Sequence, residues 1–367
     1  MEEIPYVNLS AQWGEEREEL LPIIEKVLAS GQYVAGKEVS DYENEISEAF
    51  DVEHVVAVNS GTDALVLGLT ALGIGPGDEV ITPPNSFIAS TAAIVHTGAR
   101  PVLVDVCEDQ NINPDLIEAS ITNNTKAIMP VHLTGRMARM DAILEISNKY
   151  DILIIEDAAQ SAGSCYAGRP SGSWGTVGCF STHPLKNLNG CGDGGFVTTN
   201  NNEIAANIRQ LRNHGLVGRD TVEKYGFVSR MDEIQAAILR YRLKHLNDLI
   251  ERRRANAGLY RSILDLDVIF HPADAPLEFN TWHTFVIQVD RRDQLQEHLK
   301  SVNIETSVHY PVPIHLQPAS SGLGYRAGDF PVTERQANRI LTLPIHQNLE
   351  VEELSRIATT INKYFGC

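Results

Sequence analysis

Four short aliphatic runs, Glu79–Thr82, Pro101–Val106, Ala127–Val131 and Ile152–Ile155, recur between stretches of helical spacing near 86–96, 113–120 and 138–150. This alternation limits the fold more than any other feature of the chain. Runs this short and this apolar read as strands covered on both faces, and successive parallel strands need a crossover, usually a helix. The expectation is an α/β protein built on a mostly parallel, two-sided sheet. His54–Val58 adds a strand that enters Asn59-Ser60-Gly61-Thr62-Asp63 and then an apolar helix from Ala64 to Leu72. A strand over 176–180, another over Phe196–Thr199 and a helix over 202–213 extend the pattern. Residues 12–30 read as a helix with Leu20, Ile23, Ile24, Val27 and Leu28 on one face, stopped by Gly31. One long helix is expected from near Asp232 past Arg254. The texture then changes. Trp282–Val289 alternates as a strand, Arg292–Val302 looks helical, Ile304–Tyr310 is strand-like, and Val332–Leu341 and Val351–Tyr364 look helical. These features predict a large domain over residues 1–250 and a smaller C-terminal α/β domain over 251–367.

Charge excludes several functions. The formal net charge is −18, which disfavours a nucleic-acid binder or a protein docked on anionic lipid, since both need a basic face. No apolar run reaches the ~18–20 residues that span a bilayer. Met1-Glu2-Glu3-Ile4-Pro5 lacks a basic, then apolar, leader, so no signal peptide is expected. The five cysteines, Cys107, Cys165, Cys179, Cys191 and Cys367, are odd in number and lack CxxC spacing. Reduced thiols in the cytoplasm fit them better than a disulfide framework or a zinc site. The twelve histidines form no HExxH pattern, and no metal site is expected.

The chemistry concentrates around Lys186, in Ser181-Thr182-His183-Pro184-Leu185-Lys186-Asn187-Leu188-Asn189, followed by the small-residue stretch Gly190–Gly195. A lysine amine condenses with an aldehyde to a Schiff base, the entry to pyridoxal phosphate chemistry. Asp157 follows the run Ile152–Ile155, and in open parallel sheets ligands sit at the carboxyl ends of strands. An acid there either pairs with the protonated ring nitrogen of such a cofactor or caps the next segment. Ser60-Gly61-Thr62 stands where a strand gives way to a helix. It is either a phosphate site, fed by the helix N-terminus, or an ordinary N-cap. Ser181 can donate to the same phosphate. Gln160 can reach a ring hydroxyl or lie on a helix surface. Phe87 either stacks on a planar ring or is core.

Together these pieces resemble the DegT-type nucleotide-sugar aminotransferases, within the fold type I pyridoxal phosphate enzymes. The matching segments run in order: Asn59–Leu65, Glu156–Gln160, Ser181–Leu188, Arg230–Ala237, His309-Tyr310-Pro311 and Leu316-Gln317-Pro318. The resemblance implies an aspartate aminotransferase-like large domain with a seven-stranded type of sheet. It implies pyridoxal 5′-phosphate as cofactor, with Lys186 as its covalent anchor and proton carrier. Asp157 would pair with the ring nitrogen and Gln160 with the ring hydroxyl. Ser60, Gly61, Thr62 and Ser181 would hold the phosphate, and Phe87 would cover a ring face. His183, His309, Tyr310 and His315 would help place substrate. The implied partners are an amino-acid donor (L-glutamate), a nucleoside-diphosphate keto sugar and a second copy of the chain, the site lying between subunits. Amination at sugar carbon 3 is favoured over carbon 4 or a keto-cyclitol. Ser229 and the segment Tyr310–Pro318 carry that preference. Some relatives carry histidine in place of the lysine and act as dehydratases, so Lys186 favours amine transfer; a non-catalytic nucleotide-sugar-binding or regulatory relative is the rival reading. The chain departs from the pattern at Val228, where relatives carry an asparagine that reaches the phosphate from the partner subunit. Valine has no donor for that contact.

Overall fold

The computed structural model describes residues 2–366. Met1 and Cys367, the latter read above as a reduced thiol, lie outside the described residues. In chain order the elements are α1 (Leu9–Ser30), α2 (Lys37–Ala49), β1 (His54–Val58), α3 (Gly61–Ala71), β2 (Glu79–Thr82), α4 (Ile88–His96), β3 (Arg100–Leu103), β4 (Thr125–Ile128), α5 (Met140–Tyr150) and β5 (Leu153–Asp157). They continue with β6 (Cys165–Tyr166), β7 (Arg169–Pro170), β8 (Val177–Ser181), β9 (Gly195–Thr199), α6 (Asn202–Leu211), α7 (Glu233–Lys244) and α8 (Leu246–Ile263). Last come β10 (Glu278–Phe279), β11 (Phe285–Gln288), α9 (Arg292–Ser301), α10 (Pro331–Ala337), β12 (Ile340–Leu343) and α11 (Val351–Phe365).

The main sheet has seven strands in the order β1-β9-β8-β5-β4-β2-β3. Every strand runs the same way except β9, which pairs antiparallel with both β1 and β8. All the parallel strands therefore end on one edge, and β5 stands at the centre of that edge. The sheet is buried on both faces, as the aliphatic runs require. On one face α3 packs over β8 and β9 with Leu65, Leu69, Val177 and Val197. On the other, α2 and α7 cover Tyr42, Phe50, Phe180 and Phe196. Phe180 and Phe196 are cross-strand partners, their rings stacked at 4.5 Å, and Phe50 meets Phe180 edge-on at 5.2 Å. Such pairs contribute ~0.5–1.5 kcal/mol beyond area burial. They pin the register of β8, the strand that ends at Ser181.

A second core gathers Ala257 and Tyr260 of α8, Phe285 and Ile287 of β11, Leu341 and Leu343 of β12, and Leu354, Ile357 and Ile361 of α11. β11 and β12 pair antiparallel, with Ile287 opposite Leu341. Ile4 joins this core, and Glu305 donates its backbone N–H to the Ile4 carbonyl at 3.0 Å. The N-terminal segment is thereby strapped across the C-terminal layer. A small three-stranded sheet, β10-β6-β7, closes the side.

Several elements differ from expectation. The helix foreseen from Asp232 past Arg254 breaks at His245, whose φ of −105° and ψ of 1° leave the helical range. Up to that point α7 packs on α1 and α2; beyond it, α8 turns to pack against α11. Tertiary packing breaks this helix without glycine or proline. The segment 113–120 forms two 3₁₀ turns, the first opened by Pro114 and capped by the Asn113 side chain. Val332–Leu341 is helical only to Ala337, and Ile340–Leu343 becomes β12 instead. Ile304–Tyr310 makes isolated bridges at Ile304 and Ser307, not a strand. Helix α2, over Lys37–Ala49, was not foreseen. Among the described residues no helix is long and apolar enough to cross a membrane.

Candidate active site

A cavity of about 360 Å³ opens at the carboxyl edge of the sheet, where the C-terminal layer and the N-terminal strap face it. One end is built by the β1–α3 junction. Ser60 caps α3, its Oγ accepting the Asp63 N–H at 3.1 Å, so the ordinary cap is present. The same junction lies against the end of β8. A Cβ placed on Gly61 would come 2.6 Å from the Ser181 Cβ. Only glycine allows that approach. Ser60, Gly61, Thr62 and Ser181 all line the cavity. An 11-residue helix turns its N-terminus and partial positive charge there, beside three hydroxyls, an arrangement that suits an anion.

At the centre of the edge, strand alternation sends Glu156 and Asp157 to opposite sides. Glu156 is fully buried and accepts from the backbone of Gly172 at 2.8 Å and of Trp174 and Gly175 at 2.7 Å each. It also meets His132 Nε2 at 2.9 Å. His132 Nδ1 accepts the Ala138 N–H at 3.2 Å, so Nε2 carries the proton and donates to Glu156. Glu156 is thus a structural acid that ties down the 172–175 loop. Asp157 faces the cavity. Its Oδ2 accepts from Ser90 Oγ at 2.6 Å and its Oδ1 from the Ala159 N–H at 3.2 Å. Burial raises its pKa, while Ser90, Ala159, Lys186 and His132 pull it down. A buried carboxylate without a cation bonded to it is a receptor for one.

Lys186 lies in the turn that follows β8. Its N–H donates to the His183 carbonyl at 2.8 Å, and the Gly190 N–H closes the loop on the Thr182 carbonyl at 2.7 Å. Asn187 anchors the turn to the Thr281 carbonyl at 3.0 Å. The ammonium faces the cavity, and burial lowers its pKa to about 8 against the opposing pull of Asp157. A useful fraction of neutral amine is therefore present near neutrality. Gln160 holds its Oε1 on the Thr134 N–H at 2.7 Å and its Nε2 at 3.5 Å from the Tyr310 hydroxyl. Phe87 is 54% exposed, so it is not core; its ring stands over the cavity, 5.7 Å from that of Tyr310. Burial, and then Asp157, push the Tyr310 hydroxyl up to about 12. His309 Nδ1 lies 3.0 Å from Thr342 Oγ1, and burial with the charge of Lys186 pushes its pKa down to about 4. His183 lines the same cavity.

One expected residue is placed elsewhere. His315 does not line the cavity; it is buried with Nε2 3.0 Å from Glu334 Oε1 and its ring against Phe330. It fastens the 314–334 segment and is in no position to touch a ligand in this cavity. Conversely, Tyr6, Ser90, Asp193, Arg253, His283 and His346 line the cavity without having been singled out. Ser90 alone had a readable signal, since it lies one helical turn beyond Phe87. Val228 is 54% exposed and offers only its carbonyl, to Asn59 Nδ2 at 3.5 Å.

Comparison with known proteins gives this geometry its family. The DegT/DnrJ/EryC1/StrS aminotransferase family model matches residues 15–362. The chain belongs to that family. It is 43% identical over 363 residues to the dTDP-3-amino-3,4,6-trideoxy-alpha-D-glucose transaminase of Streptomyces venezuelae, covering 98% of this chain and 96% of the relative. The crystal structure of S. venezuelae DesV in complex with an intermediate superposes with a TM-score of 0.98 at 42% identity, over 100% of both chains. The Bacillus subtilis protein ntda, solved with bound cofactor pmp, superposes with a TM-score of 0.92 at 32% identity, over 99% of this chain and 85% of that one. The protein is a pyridoxal phosphate-dependent sugar aminotransferase of fold type I. The residues present fit the cofactor: an anion-binding helix end that a methyl group at Gly61 would close, a buried acid facing the cavity, and a lysine of lowered pKa.

Proposed function

We propose that this chain moves the amino group of an L-amino acid, L-glutamate, onto a nucleoside-diphosphate 3-keto-6-deoxy sugar, working as a homodimer in the cytoplasm. The observation that carries the reading is that Asp157, at the end of β5, and Lys186, in the turn after β8, face one cavity beside the N-terminus of α3. Pyridoxal phosphate, when bound, supplies the aldehyde that carries the amine and the ring that accepts the electron pair. Lys186 would anchor it and then, as a neutral amine, carry a proton from the donor's α-carbon to the cofactor's C4′, and in the second half of the cycle carry one from C4′ to the sugar carbon that receives the amine. Asp157 holds a proton on the ring nitrogen, a charge-assisted bond of roughly 1.5–3 kcal/mol. Ser60, Thr62, Ser181 and the Gly61 backbone hold the phosphate. Gln160 meets the ring hydroxyl, Phe87 covers a ring face, and His183, His309 and Tyr310 border the space left for substrate.

The carbon 3 preference is supported by the 3-amino sugar named for the S. venezuelae relative, and by Ser229 with the segment 310–318. The dimer is supported by an apolar loop at the cavity's phosphate end, where Tyr225 is 98%, Phe227 43% and Val228 54% exposed. A cytoplasmic site of action is supported by the four described cysteines, all free thiols. The test is an amine-transfer assay with L-glutamate and a panel of 3-keto and 4-keto nucleotide sugars, read by product mass and NMR. Amine at carbon 3 is expected. Amine only at carbon 4, or on no sugar, would overturn the reading. Sedimentation equilibrium should give twice the chain mass.

A further inference from the structure

The roles above leave one cation on the cavity wall unused. Arg253, on α8, is 8% exposed and lines the same cavity as Lys186. The other buried arginines each have an acid: Arg136 has Asp274 and Glu278, Arg242 has Glu16, and Arg292 has Asp293. Arg253 meets only neutral acceptors among the described residues. Its Nη1 donates to the carbonyls of Trp282 and His283 at 3.2 Å each, and its Nη2 to Gln347 Oε1 at 3.3 Å. Its Nε is buried with no partner. The groups around it are also uncharged. Burial holds His283 and His346 well below the usual imidazole range and keeps the Tyr6 hydroxyl protonated. An isolated buried charge is costly unless something pairs with it. Arg253 also borders a void of about 10 Å³, too small for a carboxylate, so among the described residues the cavity of about 360 Å³ is the space beside it that can admit an anionic partner.

We infer that Arg253 receives a carboxylate of the amino-acid donor, holding the donor while its nitrogen meets Lys186. This rests on the transaminase reading above and deepens it. The amino-acid donor is the reactant that carries carboxylates; the sugar brings a diphosphate flanked on both sides by bulky groups. A single buried guanidinium edge, with a tyrosine and two imidazoles around it, suits a compact planar anion. The same buried position suits a diphosphate poorly.

The experiment compares wild type, Arg253→Gln and Arg253→Lys holoenzymes in the separated half-reactions, with calorimetric binding of glutarate and of dTDP as probes. Arg253→Gln should lose about 100-fold in kcat/KM for L-glutamate, mostly through KM, the size expected of a buried charged hydrogen bond. Its affinity for glutarate should fall alike, while dTDP affinity and the keto-sugar half-reaction stay within about threefold of wild type. Arg253→Lys should recover part of the loss. L-alanine assigns the carboxylate: an equal loss points to the α-carboxylate, a loss with glutamate alone to the side-chain one. An unchanged glutamate half-reaction, or lost dTDP binding with glutarate binding kept, would overturn the inference. If Arg253→Gln loses its native circular dichroism, Arg253→Lys decides by the same two probes. A wild-type protein that transfers no amine would defeat the transaminase reading and the donor role with it; Arg253-dependent glutarate binding by that same protein would show that the carboxylate site exists apart from that role.

Discussion

The hydrogen bond from Ser90 to Asp157 sets how readily the buried acid ionises, and removing it has a calculable effect. Both side chains are buried, and the Oγ–Oδ2 distance is 2.6 Å. A bond of this kind to a charged acceptor contributes ~1.5–3 kcal/mol. Burial already holds Asp157 above the ordinary carboxylate range, and Ser90 is the largest force opposing that rise. Ser90→Ala therefore raises it further. The sign for stability follows. A carboxyl whose folded pKa exceeds its unfolded value favours the folded state most in acid, and that advantage falls as pH rises through the folded value. Wild type and Ser90→Ala should therefore differ least near pH 4–5. The gap should widen with pH and level off at ~1.5–3 kcal/mol once Asp157 is ionised in both proteins. At roughly 2–4 °C per kcal/mol for a chain somewhat smaller than this, the apo proteins should separate by several degrees at pH 8. The assay is a series of thermal melts of cofactor-free protein from pH 5 to 8. A loss of the same size at every pH would show that only packing was disturbed, and no loss at all would show that the bond does not bear on Asp157.

Three other outcomes are expected. Gly61→Ala places a methyl group 2.6 Å from the Ser181 Cβ, so it should cost ~1–3 kcal/mol in stability and weaken cofactor binding at least tenfold, read by titration of absorbance. With the Lys186 pKa lowered to about 8, the rate at which apo protein takes up the cofactor should climb with pH and level off above about 8. A rate still climbing at pH 10 would mean an unperturbed lysine. His315→Asn removes the contact to Glu334 outside the cavity, so it should lower stability by ~1–3 kcal/mol and leave KM for donor and acceptor unchanged; a large rise in either KM would return His315 to the site.

The strands that build the sheet were legible because burial on both faces leaves uninterrupted aliphatic runs, and the meeting of Asp157 and Ser60-Gly61-Thr62 at one cavity was legible because the carboxyl ends of parallel strands share one edge; Lys186 reaches the same cavity from the turn after β8. What escaped has physical reasons. The break at His245 carries no glycine or proline, since it is imposed by the two layers that α7 and α8 must each cover. Strand β12 was hidden because Ile340–Leu343 continues an apolar pattern that suits a helix as well as a strand, and only pairing with β11 decides. Tyr6, Arg253, His283 and His346 come from four separate segments with no local motif. They meet only because the N-terminal strap and the C-terminal layer close over the sheet edge. His315 stands between two matching segments, and the partner that holds it outside the cavity, Glu334, lies further along the chain.

The covalent role proposed for Lys186 is open to a direct test. Peptide mapping by mass spectrometry after borohydride reduction of the holoenzyme tests it most directly. A single phosphopyridoxyl adduct is expected, on Lys186, with loss of both the visible absorbance and the turnover. An adduct on another lysine, or full turnover by Lys186→Ala, would contradict it.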